Sequence, residues 1–389
     1  MTAQIRVGGN LLGLVPGEVG GSEEYTVGLL TALAESAPPG VELTLFVNDD
    51  LAAAHPDLLA AHRVVQAPVP CRRRAVRVLV ESTWLAAASR RARLDVMHHT
   101  GGTVPPVAPV PTVVTLHDLQ PLARPERFRW LKRTYIKAVV PRSLRRARLV
   151  ITLTDFTGQD AVMRCAVQPS RLRKVPFGVQ PAGVGPSPAT VAAIRRRHGL
   201  EGRRLVLYPA ITYPHKNHET LVRALSALVG DRPDVVLVLT GGVGPAEDLL
   251  SASIDAYGVR DHVARLGRVP ADELDVLYRT AAVMAFPSDY EGFGLPVLEA
   301  MARGCPVVAS TAGGLPSVTA GAALLVPSFD AHGWAVAIAS VLDDEGRARS
   351  LIDAGRRRAR DFPWSAAVDA LVAAYRDAAA HDGGRGAQL

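Results

Sequence analysis

The chain has 389 residues, 48% of them hydrophobic, which is enough for two domains of ordinary size with separate cores. No basic segment followed by a long apolar stretch opens the sequence and no apolar run reaches membrane-spanning length, so we expect a cytoplasmic protein, soluble or peripheral. Three widely separated cysteines without paired metal-ligand spacing argue against a disulfide framework and a zinc site.

Positive charge is concentrated in the first half of the chain. Residues 1–179 contain 23 Lys and Arg against 14 Asp and Glu, a net charge of +9, whereas the remaining residues contain 21 against 23, a net charge of −2. The arginines of segments 72–93 and 124–148 alternate with aliphatic and aromatic residues. Such helices can lie on an anionic membrane or present a solvated face, and both readings stay open. Nucleic acid is not an expected partner, because no nucleic-acid-binding motif accompanies the charge.

The first half alternates between short apolar segments and helical patterns, which predicts a parallel, doubly wound α/β sheet. A glycine-rich loop follows the first strand and leads into a helix, for which Ser22 is the predicted N-cap. Gly20 and Gly21 would let the backbone approach a ligand closely, although such a loop can also be a simple turn. The predicted strands are residues 4–7, 41–47, 63–66, 94–98, 112–116 and 149–153.

Two polar residues, His117 and Asp118, come directly after a buried apolar strand, at the edge where open α/β sheets bind ligands. A histidine here could contact a substrate or could be structural, and the aspartate could orient it or cap the next turn. His98 and His99 end a neighbouring strand and have no ligand partner at helical spacing, so we predict that they pack at the strand end.

A proline- and glycine-rich stretch, residues 181–190, is the predicted linker to a second domain. A second alternating series follows it and predicts a second Rossmann-like sheet. Its predicted strands are residues 204–208, 235–239, 262–266, 282–286 and 307–309.

Lys216 stands at the predicted start of a helix that Asn217 could cap, so an ammonium group and free backbone N–H groups would converge there. This combination favours a diphosphate. The residue is one of four lysines in a chain with forty arginines, although a surface lysine at a helix start is the alternative.

The most informative segment is residues 287–306, in which Glu291 and Glu299 lie eight residues apart on either side of a glycine-bearing turn. An apolar strand precedes the turn and Pro296 suits a first helical turn, so we predict strand, loop and helix, with Glu299 in the first turn of that helix. Free N–H groups at a helix start favour a bound anion, whereas a carboxylate suits hydroxyl groups. The chemistry suggests a ligand with both phosphate and sugar-like hydroxyls, and the alternative is two solvated glutamates beside a helix.

This segment resembles the EX7E signature of the GT-B glycosyltransferases, in particular the retaining family 4. The similarity covers EGFGLPVLEAMARGCPVVAS and the following TAGGLPSV, and ITLTDFTGQD and KVPFGV extend it over nearly the whole chain, with Phe177 in place of the usual asparagine. The resemblance implies two Rossmann-like doubly wound domains facing across a cleft, with the acceptor in the first and the nucleotide sugar in the second. The implied domains are residues 1–180 and 181–362, followed by a segment, 363–389, whose helix crosses back to the first domain before a frayed tail.

The resemblance also implies roles for individual residues. His117 and Glu291 would contact the transferred sugar, Lys216 would hold the diphosphate, and Glu299 would hold the ribose hydroxyls. Related enzymes often carry an arginine five residues before the lysine, where this sequence has Ile211. The implied catalytic residues are His117, Lys216 and Glu291, and the implied donor-binding residues are Gly20, Gly21, Gly242, Arg268, Phe293, Gly294, Leu295 and Glu299.

The implied reaction is the transfer of a hexosyl group from a nucleoside-diphosphate sugar to a hydroxyl acceptor with retention, in which the departing phosphate accepts the acceptor's proton. No D-x-D metal motif is present, so neither a metal nor another obligatory cofactor is expected. The HDLQ and YPHKN segments favour GDP-mannose as donor. The protein could be peripheral on the inner face of the plasma membrane. A nucleotide-sugar 2-epimerase and a catalytically silent nucleotide-binding partner are the alternatives.

Overall fold

The computed structural model describes residues 4–17, 20–128 and 130–380, without the side chains of residues 131 and 132. The chain forms two compact units. The first contains the residues up to Gly178 together with those from Pro363 onward, and the second runs from Val179 to Phe362. The tail expected to fray, residues 381–389, lies outside the described residues.

The first unit is built on a parallel sheet of seven strands in the order β3-β2-β1-β4-β5-β6-β7. The chain leaves β1 towards β2 and β3 and then returns to β4 on the other side, so the strand order reverses between β1 and β4. The strands are β1 Ile5–Asn10, β2 Val41–Val47, β3 Arg63–Gln66, β4 Val96–His99, β5 Thr112–Leu116, β6 Leu149–Thr152 and β7 Leu172–Lys174.

Helices of the first unit cover the faces of this sheet, and every residue of the central strands β4, β5 and β6 is buried. The helices are α1 Gly21–Ser36, α2 Asp49–Ala54, α3 Pro56–Ala60, α4 Arg74–Val80, α5 Ala86–Arg91, α6 Gln120–Ala123, α7 Trp130–Arg146 and α8 Asp155–Cys165. A π-helical turn, Glu81–Leu85, joins α4 to α5.

The first predicted helix begins earlier than expected. Gly20, rather than Ser22, occupies the N-cap of α1, with a φ of 55° and no side-chain cap. This backbone angle lies in the left-handed region that glycine adopts readily, so the chain can turn into the helix at Gly21.

The second unit contains a parallel sheet of six strands in the order β10-β9-β8-β11-β12-β13, with the reversal between β8 and β11. Its strands are β8 Arg204–Pro209, β9 Val235–Thr240, β10 Val263–Gly267, β11 Val283–Phe286, β12 Val307–Ser310 and β13 Leu324–Val326. Its helices are α9 Pro188–Arg197, α10 His218–Leu228, α11 Glu247–Ala256, α12 Ala271–Thr280, α13 Leu295–Ala302, α14 Leu315–Thr319, α15 Ala331–Asp343 and α16 Glu345–Ala359.

The last helix, α17 Trp364–Ala380, belongs to the first unit and packs along α1. Trp364 fills the space beside Gly28 and Gly178, where any Cβ atom would overlap the indole ring. Farther along, the Tyr375 hydroxyl lies 2.8 Å from Nδ1 of His98, which is buried at the end of β4 as predicted. Within the described part of the chain, no helix combines the length and apolarity that crossing a membrane requires.

Candidate functional site

The strand reversal of the second sheet brings Lys216 and Glu291 together. Lys216 ends a short 3-10 turn after β8, and Glu291 lies in the loop after β11. The lysine Nζ is 2.5 Å from Oε1 of the glutamate, and their side chains are only 18% and 12% exposed. Since ligands of open α/β sheets bind at such a reversal, this ion pair marks the candidate site of the second unit.

Two hydrogen bonds to backbone carbonyls fix the segment that carries Lys216. The hydroxyl of Tyr208, a buried residue of β8, donates a hydrogen bond of 2.6 Å to the carbonyl oxygen of Lys216. The amide of Asp289 donates to the neighbouring carbonyl of His215 at 2.9 Å, which ties the β8 and β11 loops together. The ammonium group therefore projects from a rigid base.

Asn217 occupies the N-cap position of α10, as the sequence predicted. The residue precedes α10 in a left-handed conformation, with a φ of 54°, but its side chain makes no capping hydrogen bond. Its amide instead donates to the carbonyls of Pro287 and Ser328, at 3.3 and 2.6 Å. Its Oδ1 accepts a hydrogen bond of 2.9 Å from the Thr220 hydroxyl in the first turn of α10, so Asn217 links the neighbouring loops to the helix start.

The glycine pair Gly313–Gly314, in the loop after β12, holds the backbone of Glu291. Gly313 has a φ of 62°, and a Cβ atom there would overlap the backbone of Glu291. The next amide, of Gly314, donates to the Glu291 carbonyl at 2.9 Å. A glycine is required at position 313 both by its backbone angle and by this close approach.

Glu299 lies farther into its helix than predicted. The helix begins at Leu295, after Gly294 with a φ of 88°, so Glu299 is its fifth residue and falls outside the first turn. Its Oε2 accepts a hydrogen bond of 3.0 Å from the buried hydroxyl of Tyr278. This hydrogen bond orients the carboxylate of Glu299.

Two of the predicted donor-binding residues can contribute only backbone groups. Phe293 is 4% exposed and packs edge-on against Phe362, with ring centroids 5.7 Å apart, and Leu295 is 9% exposed. Gly294 between them leaves space for the Leu315 side chain, which a Cβ atom would overlap.

Gly242 and Arg268, predicted on separate loops, lie side by side. The amide of Gly241 donates to the carbonyl of Gly267 at 2.8 Å, which joins the ends of β9 and β10. A Cβ atom at Gly242 would be 3.2 Å from Nε of Arg268. The guanidinium therefore lies against the glycine loop.

A polar clamp around Thr212, which sequence reasoning missed, holds the loop that carries Lys216. The Thr212 hydroxyl donates to Oε2 of Glu247 and accepts from the amide of Gly244, both at 2.6 Å. Its carbonyl accepts from the Ala246 amide at 2.9 Å, and Arg265 forms an ion pair with Glu247. Ile211, which replaces the usual arginine, immediately precedes this clamp.

In the first unit, Gly20 and Gly21 stand in open space. A Cβ atom at either position would have no heavy atom of the described chain within 4 Å. The positive φ explains glycine at position 20, but internal packing does not explain it at position 21. Open space beside both is what close approach of a ligand requires.

His117 has a defined protonation state. Its Nε2 lies 3.2 Å from the carbonyl of Thr100, so Nε2 carries the hydrogen and Nδ1 is left as an acceptor. Burial lowers the pKa of His117 to about 4. The neighbouring Asp118 accepts a hydrogen bond of 3.0 Å from the Gln120 amide at the start of the next turn. Near pH 7 the neutral imidazole of His117 can form hydrogen bonds with a substrate but offers it no positive charge.

Two family models match the sequence: Glycosyltransferase Family 4 over residues 19–183, and Glycosyl transferases group 1 over residues 191–358. The chain is 32% identical over 316 residues to the MMP alpha-(1->4)-mannosyltransferase of Mycolicibacterium hassiacum, covering 75% of this chain and 73% of that protein. It is 28% identical over 265 residues to the O-antigen chain mannosyltransferase B of Escherichia coli, covering 68% and 70%. The chain spans a smaller share of other relatives, 48% for the D-inositol 3-phosphate glycosyltransferase of Segniliparus rotundus.

The fold is similar to that of Anabaena Alr3699/HepE, crystallised in complex with UDP and glucose, with a TM-score of 0.75 at 19% identity over 95% of this chain and 99% of that one. The two parallel Rossmann-like sheets and these matches define a GT-B glycosyltransferase. The chain belongs to glycosyltransferase family 4.

Proposed function

We propose that this enzyme transfers a hexosyl group, mannosyl in the favoured case, from a nucleoside-diphosphate sugar to a hydroxyl acceptor with retention of configuration. The Lys216–Glu291 pair at the strand reversal of the second sheet carries the proposal. Two relatives named as mannosyltransferases support the sugar. Alr3699/HepE, crystallised with UDP and glucose, supports a nucleotide-sugar donor but leaves GDP and UDP both to be tested.

The ion pair suits a nucleotide-sugar donor, which has a charged diphosphate and a neutral sugar. Negative charge develops on the departing diphosphate, and an ammonium group fixed in a partly buried site stabilises it. Glu291, next to the cation, would accept hydrogen bonds from hydroxyls of the transferred sugar. Glu299, oriented by Tyr278, would accept them from the ribose.

Each of the remaining predicted residues has a role in the proposal. Gly242 and Arg268 would lie along the nucleotide, and the amides near Phe293, Gly294 and Leu295 would face the diphosphate. In the first unit, Gly20, Gly21 and His117 would contact the donor phosphates and sugar. In a front-face substitution the departing phosphate accepts the acceptor's proton, so no enzyme nucleophile is needed. Lys216 and the helix terminus near Gly294 would stabilise the charge on the leaving diphosphate, so no obligatory metal is needed.

The proposal is tested first with nucleotides and then with nucleotide sugars. A thermal-shift screen of UDP, GDP, ADP and TDP should identify one diphosphate that raises the melting temperature, because ligand binding stabilises the folded state. The sugar donors of that nucleotide are then incubated in excess EDTA, where we expect slow hydrolysis without acceptor. Loss of all turnover that magnesium or manganese restores would contradict the metal-free reaction.

The same experiment separates the alternative functions. Conversion of UDP-N-acetylglucosamine to its 2-epimer, without an acceptor, would identify an epimerase. Nucleotide binding without hydrolysis or transfer from any donor would identify a catalytically silent partner.

The basic surface of the first unit favours a peripheral membrane contact. Trp130 at the start of α7 is 71% exposed, and Leu79 on α4 is 63% exposed. The Arg74 guanidinium lies 3.9 Å from the Tyr135 ring centroid, which joins the two helices. Apolar side chains among arginines suit an anionic bilayer surface, such as the inner face of a plasma membrane.

Co-sedimentation with vesicles tests this contact. Binding to vesicles with anionic lipid should weaken as salt rises, and Trp130→Ser should reduce it further. Equal binding to neutral and anionic vesicles, or none at low salt, would leave these helices as solvated faces.

A further inference from the structure

The strand reversal of the first sheet also carries a polar cluster. Asn10 ends β1 and His99 ends β4, and the two residues are paired in register. Both are buried, at 5% and 2% exposure. The Asn10 amide Nδ2 lies 3.0 Å from Nδ1 of His99 and 3.0 Å from Oε1 of Glu81. In the second unit, the loops that follow the two strands at the reversal carry the Lys216–Glu291 pair.

The hydrogen bonds determine which His99 nitrogen carries a hydrogen. The two amide hydrogens of Asn10 serve Glu81 and His99, while its oxygen accepts from the Leu12 amide at 3.2 Å. His99 Nδ1 is therefore an acceptor, and the neutral ring carries its hydrogen on Nε2. This Nε2 is buried and has no hydrogen-bond partner among the residues that the structure describes. A buried N–H group without an acceptor is energetically costly, so we expect a ligand or a water molecule to supply the acceptor.

His99 and Glu81 line the same cavity, which is about the size of one water molecule. Glu81 opens the π-helical turn after α4, a local irregularity that often occurs at functional sites. Ser89 and Thr112 add two hydroxyl groups, and most of the remaining wall is apolar. The space admits one small polar group and excludes a bulky one.

We propose that Glu81, Asn10 and His99 form a hydroxyl-binding subsite for the acceptor, taking one hydroxyl group of a polyol or sugar. This rests on the proposed glycosyl transfer. Glu81 accepts a hydrogen bond from the hydroxyl, His99 Nε2–H donates one to it, and Asn10 holds both side chains in place. A neutral hydroxyl fits better than a phosphate, because the cluster presents a carboxyl group and an imidazole whose pKa burial lowers to about 3. A bound water molecule is the competing occupant.

Ligand-observed NMR on the full chain tests the subsite with three probes: methyl α-D-mannopyranoside, methyl α-D-glucopyranoside and myo-inositol. At least one should bind the wild-type protein with the nucleoside diphosphate present. Glu81→Gln should weaken that binding about tenfold or more, as expected for the loss of a charge-assisted hydrogen bond. His99→Phe is the second variant, since it removes the Nε2 donor while filling the ring's space.

A matched control and a second readout keep the test decisive. Glu35→Gln changes an exposed glutamate near the far end of α1 and should leave probe binding unchanged. Nucleoside-diphosphate affinity should stay within twofold in all variants, which shows that they are folded. If no probe binds the wild type, or if Glu81→Gln and His99→Phe bind as well as wild type, the cluster holds water and the inference is overturned. Failure of the wild type to bind any nucleoside diphosphate would instead refute the proposed function.

Discussion

The two glutamates of the EX7E segment have different surroundings, although they belong to one motif. Glu291 contacts Lys216, whereas Glu299 is held by the Tyr278 hydroxyl. The strand, loop and helix that carry them were predicted correctly, but Glu299 was predicted in the first helical turn and lies beyond it. The sequence could not show the lysine contact, because Lys216 and Glu291 lie 75 residues apart and meet only through the order of strands in the sheet.

Replacing Glu299 should chiefly weaken nucleotide binding. Glu299→Ala removes a charge-assisted hydrogen bond to ribose, which is worth about 1.5–3 kcal/mol, or roughly a ten- to 150-fold loss of affinity. Calorimetry should show the same loss for the diphosphate and for the intact donor. Tyr278→Phe, which removes the hydroxyl that orients the carboxylate, should cause a smaller loss of the same kind.

Replacing Glu291 should act on turnover instead. In Glu291→Ala the Lys216 ammonium loses its partner and remains available to the diphosphate, so diphosphate affinity should stay the same or rise. The turnover number should fall, because the sugar loses a group that fixes its position for transfer. Diphosphate binding weakened as much as in Glu299→Ala would show that the two roles are assigned wrongly.

The ends of the apolar strands were predictable to within about three residues, because buried parallel strands are continuous apolar runs. The fold class was predicted correctly from their alternation with helices. Strands β7 and β13 were missed, since each has three residues and neither is fully buried. Hydrophobic pattern alone does not distinguish such short edge strands from loops.

The Thr212 clamp could not be predicted, because Thr212 and Glu247 lie 35 residues apart and belong to no local motif. Thr212→Val removes a donor and an acceptor from a buried network, so we expect a loss of stability of about 1–3 kcal/mol. Diphosphate affinity should also fall several-fold as the Lys216 loop loosens. Thermal melting and calorimetry measure the two effects.

Thr212→Ser is the matched control for the clamp. It keeps the hydroxyl and should restore most of the diphosphate affinity. If the valine variant binds the diphosphate as wild type does, the clamp does not position Lys216.

Each unit of the molecule places one pair of candidate residues where its own strand order reverses. Lys216 and Glu291 lie at the β8–β11 reversal, and Asn10 and His99 lie at the β1–β4 reversal. This repetition follows from the shared doubly wound topology, in which loops diverge at the reversal and leave room for a ligand.

Buried histidines should make the molecule acid-sensitive. Burial lowers the pKa to about 3 for His98 and His99, and to about 4 for His117 and His218, from an ordinary value near 6.5. The unfolded chain therefore binds more protons below pH 6.5, and stability that is complete above this pH is lost as pH falls towards 4. Each histidine contributes up to about 1.4 kcal/mol per pH unit in this window.

The melting temperature between pH 7.5 and 5 checks this effect before most carboxylates titrate. It should fall steadily below about pH 6.5. Raised pKa values of Glu24 and Glu81 act in the opposite direction, but fewer groups are involved. A melting temperature that stays constant or rises on acidification would contradict neutral, buried histidines.

Lys216 is proposed to hold the donor diphosphate at the strand reversal of the second sheet. Calorimetry of Lys216→Met tests this proposal most directly, using the nucleoside diphosphate selected by the thermal-shift screen and the corresponding nucleoside. We predict that diphosphate affinity falls roughly ten- to 150-fold, because an ionic hydrogen bond is lost, while affinity for the nucleoside stays within twofold. A folded variant that binds the diphosphate as tightly as the wild type would contradict the claim.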